Sequence, residues 1–592
     1  MKTAGEIREA IIETVRRNGG HLASSLGAVE LSMALVQAFD PLRDRIVWDV
    51  GHQAYAWKIL TGRSESFGSI RSFGGLSPFP DPAESAADAA IAGHAGAAFS
   101  VALGLAAARD KRGGNEHVVV VVGDSSMANG HSFEAMNNCA IETNRIIVVL
   151  NDNGMSISRP VGSFSTLLAR LTSSVRYNRA KNAVKMAARK MRLSFLYSPV
   201  HKIKSALKTL LLGNIWFEQF GLHYMGPVDG HDLSALSSAL SAAKGETRPV
   251  LLHVVTKKGK GHKPAEENPV RFHGVSPEQS GGAKRTWSDA FGDALSELAR
   301  SDERVVALTA GMADGTGLSR FAGEFRGRFR DVGIAEGHLV SYASGLAAGG
   351  LRPFVAVYST FLQRAVDQVM HDVCIRNLPV VICVDRAGVV GQDGVTHQGL
   401  YDYAMLKSLP NLVIVQPKDE EDLKALLKEA LERNGPTVIR YPRGEVPYKV
   451  EAAPSKEGGA CCAIWATGDS VAKANEIAAA VGGCEVVYAR SLKPYDRETL
   501  LSQRRAGMKI ISIENAAVSG GFGETIGADL RFGWPDEFIP HGSCAELERK
   551  YALDVETMIS TTREFLSRDE IGKKRRLSYG KSIWCSWRVG SR

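Results

Sequence analysis

The chain has 592 residues, 44% of them hydrophobic and 23% charged, with a formal net charge of +8. That length exceeds a single hydrophobic core and implies three or four domains, while the balance of apolar and charged residues is that of a globular enzyme and excludes a fibrous or disordered chain. No apolar run reaches the length of a membrane span, and Met1–Gly5 lead into a polar amphipathic segment rather than a signal peptide, so a cytoplasmic protein is expected.

Eight cysteines in so long a chain read as small hydrophobes in a reducing compartment, with Cys139, Cys374 and Cys383 in apolar segments. Cys461 and Cys462 open a strand pattern, nothing nearby has metal-ligand spacing, and no zinc site is expected. Positive charge gathers between Arg176 and Lys208, where no acid interrupts the bases. Without regularly spaced stacking aromatics or a nucleic-acid motif, that stretch reads as a solvated basic helix over the entrance for anionic substrates.

The first domain spans residues 1–280. His117–Val122 and Ile146–Leu150 are short, β-branched and bounded by polar residues, as buried parallel strands should be, and Ser132–Ile141 reads as the crossover helix between them. Gly123-Asp124-Ser125 closes one strand and Asn151–Met155 the other. An aspartate and an amide at the carboxyl ends of neighbouring strands can share one Mg²⁺, and that ion can hold a diphosphate. Taken alone, Asp124 reads as a helix cap; Asn151–Met155 turns the balance toward the metal. Pro277–Gly282 is a polar, glycine-rich linker. A second domain, 286–448, carries strand patterns at Val305–Leu308, Phe354–Val357 and Val380–Val384, and a third, 459–566, carries them at Ala463–Ala466 and Lys509–Ile513. Strand–helix alternation throughout predicts an α/β fold of parallel or mostly parallel sheets flanked by helices. Gly521, Phe522, Gly523 and Gly527 imitate part of a dinucleotide fingerprint, but no fitting acidic residue follows, so a turn with close helix packing is expected and not NAD.

Asp124 and Asn153 resemble the thiamine diphosphate signature of the transketolase superfamily. The segments 48–55, 151–158, 226–231, 358–364, 385–388 and 396–399 resemble those of the 1-deoxy-D-xylulose-5-phosphate synthases, and the likeness extends over most of Ile7 to about Leu566. The basic stretch 567–592, with Trp584 and Trp587, does not share it. The resemblance implies a transketolase-like thiamine diphosphate-binding fold with a diphosphate-binding first domain, a pyrimidine-binding second and a C-terminal third. It also implies a homodimer with the cofactor between the first two domains, and no nucleic-acid or membrane partner is expected. The implied activity is that of a transferase joining pyruvate, with loss of carbon dioxide, to D-glyceraldehyde 3-phosphate. The product, 1-deoxy-D-xylulose 5-phosphate, opens non-mevalonate isoprenoid synthesis and feeds thiamine and pyridoxal phosphate synthesis.

Site residues follow from the same resemblance. Asp124, Asn153 and the main-chain oxygen of Met155 are expected to ligate Mg²⁺. Thiamine diphosphate is expected to touch His52, Gly93, His94, Ala95, Asp124, Ser125, Ser126, Asn153 and His262, with Phe361 stacked on its pyrimidine. Glu336 is the expected partner of the pyrimidine nitrogen, and a carboxyl in an apolar pocket shifts toward the neutral form that suits proton exchange. His21 and His397 are expected to move protons near the reacting carbon, with His273 a further candidate. Arg386 and Arg443 are expected to grip the substrate phosphate through guanidinium forks, with Tyr358, Asp393 and His397 lining the sugar. The cradle departs from the family pattern at Ser125, Ala95, Gly96, His262 and Gly337, which predicts weakened cofactor binding. Two alternatives stand beside this reading: a catalytically silent paralogue and another transketolase-type ketol transferase.

Overall fold

The computed structural model describes residues 2–154, 162–164, 166–168, 216–277, 284–451 and 460–567. The metal-ligand candidate Met155, the basic stretch from Arg176 to Lys208 and the tail from Arg568 lie outside the described residues.

The first sheet consists of β1 (Arg45–Asp49), β2 (Val118–Gly123), β3 (Ile147–Asp152), β4 (His223–Asp229) and β5 (Val250–Val255), in the order β1-β2-β3-β5-β4 with every pair parallel. Its strands are apolar on both faces because helices cover both. Val118, Val120 and Val122 pack with Phe99, Met136 and Cys139 on one side, while Val119 and Val121 pack with Leu35, Trp57 and Leu236 on the other. The crossover helix runs from Gly130 to Glu142, and Asn129 caps it by accepting from the His131 amide at 3.0 Å. Asp124 is therefore not its cap.

The second sheet takes β6 (Val305–Thr309), β7 (Phe329–Asp331), β8 (Arg352–Tyr358), β9 (Val381–Asp385), β10 (Val413–Val415) and β11 (Thr437–Arg440). The third takes β12 (Cys462–Thr467), β13 (Cys484–Ala489), β15 (Lys509–Ala517) and β16 (Leu530–Trp534), all parallel in the order β13-β12-β15-β16. One strand crosses the expected boundary: β14 (Ser491–Lys493) leaves the third unit and pairs antiparallel with β10 at the edge of the second sheet. The second sheet is thus ordered β14-β10-β11-β9-β8-β6-β7. A single apolar core continues across the junction, joining Ile382, Leu406 and Ile414 to Trp465, Leu492 and Phe522. Buried Arg440 closes the seam, donating to Asp402 at 2.8 Å, to Gln416 Oε1 at 2.6 Å and to the Asn515 carbonyl at 3.3 Å.

One cysteine expectation is corrected. Cys462 and Cys484 occupy the same register position on adjacent parallel strands, which brings their sulfurs together, and they are joined as a disulfide. Cys139, Cys374 and Cys383 are buried free thiols. The Gly521–Gly523 segment is packed as its sequence suggested. A β-carbon on Gly523 would stand 2.0 Å from Ser512 Oγ, and the buried Glu514 carboxylate accepts the Phe522 and Gly523 amides at 2.6 and 2.8 Å. Among the described residues, no helix is long and apolar enough to cross a membrane.

Candidate active site

A cavity of about 760 Å³ opens where the carboxyl ends of β2 and β3 face the second domain. Strand ends gather polar groups there because side chains beyond the last ladder bond are free to face a ligand. Asp124 starts a short helix, Asp124–Met127, directly after β2, and Asn153 follows β3. Both line the cavity, as do Ser125 and Ser126. Burial and the neighbouring charge of Asp152 push the Asp124 carboxyl up to about 7, opposed by the Lys258 ammonium. Lys258, just beyond β5, is itself buried and drawn down to about 8 by desolvation, with Asp124 acting in the other direction.

The departures in the cradle have specific consequences. Ser125 sits in right-handed helix, so its β-carbon meets no backbone strain. Its amide and its hydroxyl both turn to Asp124 Oδ1, at 2.8 and 3.4 Å, and hold that carboxylate in place. Gly96 has a φ of +89° and lies so close to Asn129 that a β-carbon would come within 2.6 Å of Asn129 Oδ1. Its amide donates at 2.9 Å to the buried Asp49 carboxylate, which also accepts from the Ala98 amide at 3.1 Å. A glycine at 96 is therefore what this tight loop requires. Gly93 meets the second domain edge-on: a β-carbon there would stand 2.1 Å from Thr396 Oγ1. His94 does not line the cavity but bridges the same junction, with Nε2 2.9 Å from Thr360 Oγ1 and 2.7 Å from the Thr396 carbonyl.

Glu336 opens the helix Glu336–Ala348 in the opposite wall and is 4% exposed. Its Oε2 has no hydrogen-bond partner, and the nearest cation, Arg364 Nη1, stands 3.6 Å away. Arg364 also donates to the Ala95 carbonyl across the junction. Burial raises the Glu336 carboxyl above its ordinary value, with Arg364 opposing. Next to it, Gly337 leaves room that Gln368 Oε1 approaches to 3.3 Å of the missing β-carbon. Phe361 lines the cavity, stacked on Tyr358 at 5.5 Å and edge-on to His94 at 5.1 Å.

The deeper wall is histidine-rich. His21, His52 and His273 stand with ring centres 5.2–5.7 Å apart. Desolvation holds His21 down to about 4 and the other two well below the usual imidazole value. His397 stacks on Phe79 at 5.0 Å, and its Nδ1 lies 2.8 Å from Thr396 Oγ1. Asp393 pairs with buried Arg71 of the first domain and lies 3.7 Å from Arg443, and these cations hold its carboxyl far below the carboxylate range despite burial. Arg386 has a φ of +58°, stands 3.8 Å over the Tyr358 ring and donates to the Gly315 carbonyl at 2.9 Å. Arg443 donates to the Val390 carbonyl at 2.9 Å.

His262 does not line this cavity; its ring stands 5.6 Å from Phe272, edge-on. Sequence reasoning passed over Arg71, Lys258 and Asp49. Lys258 carried a usable signal, a lysine at the carboxyl end of an apolar strand beside those ending in Asp124 and Asn153. Arg71 carried none, since its partner lies 322 residues away.

The family model described as 1-deoxy-D-xylulose-5-phosphate synthase matches residues 1–256, the transketolase pyrimidine-binding domain matches 283–449 and the transketolase C-terminal domain 451–558. The 1-deoxy-D-xylulose-5-phosphate synthase of Natranaerobius thermophilus is 43% identical over 94% of this chain and 94% of its own length. Synthase 1 of Geobacter metallireducens is 45% identical over 95% of this chain and 96% of its own. The chain belongs to the 1-deoxy-D-xylulose-5-phosphate synthase family. Its mostly parallel sheets with flanking helices are those of the transketolase-like α/β fold.

Proposed function

We propose that this cavity condenses pyruvate, with loss of carbon dioxide, and D-glyceraldehyde 3-phosphate into 1-deoxy-D-xylulose 5-phosphate. The family uses thiamine diphosphate with a divalent metal, typically Mg²⁺, and the residues present fit that group. Asp124 is a buried carboxylate beside the like charge of Asp152, an arrangement that a divalent cation relieves, and Glu336 Oε2 is an orphaned acceptor in the facing wall. Thiamine diphosphate, when bound, would let the carbonyl carbon of pyruvate act as a carbanion equivalent, and the protein would bind and orient it.

In this reading Asp124 and Asn153 would hold the metal, and Ser125 keeps the Asp124 carboxylate oriented. Lys258, at the end of β5, neutralises diphosphate charge. Glu336 holds or releases a proton at the pyrimidine nitrogen, because burial keeps its neutral form accessible. His21 and His397, kept neutral by desolvation, accept or return protons at the substrate carbonyl oxygen. Arg386 and Arg443 bind the aldehyde phosphate, and Tyr358 and Asp393 fix its hydroxyl end. The apolar rings of Phe79 and Phe361 exclude water from the reacting atoms. A homodimer and a cytoplasmic location complete the proposal, and sedimentation velocity tests the first.

The observation that carries the reading is the unpartnered Glu336 oxygen facing Asp124 across a cavity that also holds Arg386 and Arg443. Incubation of the protein with pyruvate, D-glyceraldehyde 3-phosphate, thiamine diphosphate and Mg²⁺ is the test. Carbon dioxide and 1-deoxy-D-xylulose 5-phosphate should form together, and ketol transfer between sugars without pyruvate consumption would refute the assignment.

A further inference from the structure

A short segment of the third domain, Pro540–Cys544, packs behind the turn that carries Asp393 and His397 without lining the cavity. Gln398 Nε2 donates to the Pro540 carbonyl at 3.1 Å, while its Oε1 accepts from the Val390 amide at 2.7 Å. This ties the segment to the back of the turn that carries Asp393 and His397. The next residue, His541, lies 3.0 Å through Nε2 from the Gly75 carbonyl, and since a carbonyl only accepts, that nitrogen carries the hydrogen. Gly75 belongs to the loop closed by the Arg71 amide donating to the Leu76 carbonyl at 2.9 Å. On its other side His541 presses on Gly394, where an added β-carbon would come 3.0 Å from His541 Cβ. Lys550 of the same domain stands 5.5 Å from the Phe73 ring centre, on that same loop.

We propose that His541 is a positioning residue for the aldehyde-phosphate end of the site, holding the loop that carries Arg71 against the turn that carries Asp393. His541 does not line the cavity, so it acts only through those two segments. The Arg71 loop needs such support. Arg71 has a φ of +69°, a region costly for a residue with a β-carbon, and persists there only if its surroundings over-determine it. Its buried guanidinium also has to meet a carboxylate on another domain, and a shift of about 1 Å at either segment degrades that pair. The residues proposed for metal and cofactor, Asp124, Asn153 and Glu336, lie on other elements, and the contacts of His541 described above do not reach them. The expected consequence is a specific loss of aldehyde-phosphate binding.

The inference rests on the assignment of Arg443 to the phosphate of the aldehyde and of Asp393 to its hydroxyl end. The test compares the holoenzyme with His541→Ala, His541→Gln, Arg71→Ala and the His541→Ala/Arg71→Ala double variant. In His541→Ala, KM for D-glyceraldehyde 3-phosphate should rise roughly fivefold to tenfold, the worth of one hydrogen bond and its loop order. Turnover at saturation and calorimetric affinity for thiamine diphosphate with Mg²⁺ should stay within about twofold. His541→Gln keeps an N–H at similar reach and should recover most of the loss. With Arg71 already removed, His541→Ala should add less than about twofold. An unchanged KM, no recovery in His541→Gln, a parallel fall in cofactor affinity, or full additivity with Arg71→Ala would each overturn the proposal. If His541→Ala does not fold, His541→Asn, whose donor is one bond shorter, takes its place against His541→Gln, and equal KM values overturn it. Failure of the underlying reading looks different: Arg443→Ala would leave the aldehyde KM unchanged, whatever His541 does.

Discussion

Replacing Glu336 with glutamine should make the cofactor-free protein more stable while nearly abolishing turnover. The carboxyl is 4% exposed, its Oε2 lacks a partner, and the 3.6 Å to Arg364 is too long for a hydrogen bond. An unsatisfied buried polar atom costs about 1–3 kcal/mol, and more when charged. Glutamine keeps the volume and removes the charge. Against that stands the lost attraction to Arg364, whose side chain is 22% exposed and hydrated, so it is worth at most about 1 kcal/mol. The net gain should be about 1–2 kcal/mol. Its pH dependence has a definite sign. Burial raises the carboxyl above 4.5, so folding takes up a proton and the penalty is absent below 4.5. The penalty grows as pH rises through the folded value, so the stability advantage of Glu336→Gln should be small at about pH 4 and full above that value. Urea midpoints of the two cofactor-free proteins at low and high pH measure it. Turnover with saturating thiamine diphosphate should fall by about 10²–10⁴, the usual contribution of a positioned acid–base group. A variant that is no more stable at the higher pH, or that keeps its turnover, would refute the idea that an unpaired carboxyl is stored here for catalysis.

Gly93→Ala forces a β-carbon to 2.1 Å from Thr396 Oγ1, so the first and second domains must part. A destabilisation of about 1–3 kcal/mol and weaker binding of cofactor should follow, and an unchanged melting temperature would count against the close approach. Arg443→Ala should raise KM for the aldehyde phosphate by roughly 10–100-fold and leave the pyruvate KM unaltered, as steady-state kinetics with each substrate varied will show. Because Asp124 holds its proton up to about 7, Mg²⁺ must displace that proton at lower pH. Calorimetric Mg²⁺ affinity in the presence of thiamine diphosphate should therefore strengthen from pH 6 to pH 8, and a flat profile would contradict the burial of Asp124.

Local pattern carried far in this chain. β2 and β3 were legible because a parallel strand covered on both faces is a continuous β-branched run, and the observed strands differ from the expected ones by one or two residues at their ends. Asp124 and Asn153 were legible for the same reason, since the end of such a strand is marked in the sequence. The significance of Ser125 was not, because it turns on whether φ there is negative, and that depends on the helical turn it enters. The disulfide between Cys462 and Cys484 was equally hidden, since only the register of two parallel strands places those sulfurs together.

Sequence alone determined the α/β class, the order of the strands along the chain, the family, and the chemical type of each residue proposed for a metal, a cofactor and a phosphate. Those follow from hydrophobic period and short motifs, which are properties of neighbours in the chain. Tertiary structure decided which of these groups are buried, paired or left without a partner. It set Arg71 against Asp393 across 322 residues, excluded His262 from the cavity, added β14 to the second domain's sheet and brought His541 against the Arg71 loop and the Asp393 turn. Desolvation and ion pairing depend on distances in space, and for residues so far apart in sequence only the packing of the domains sets those distances.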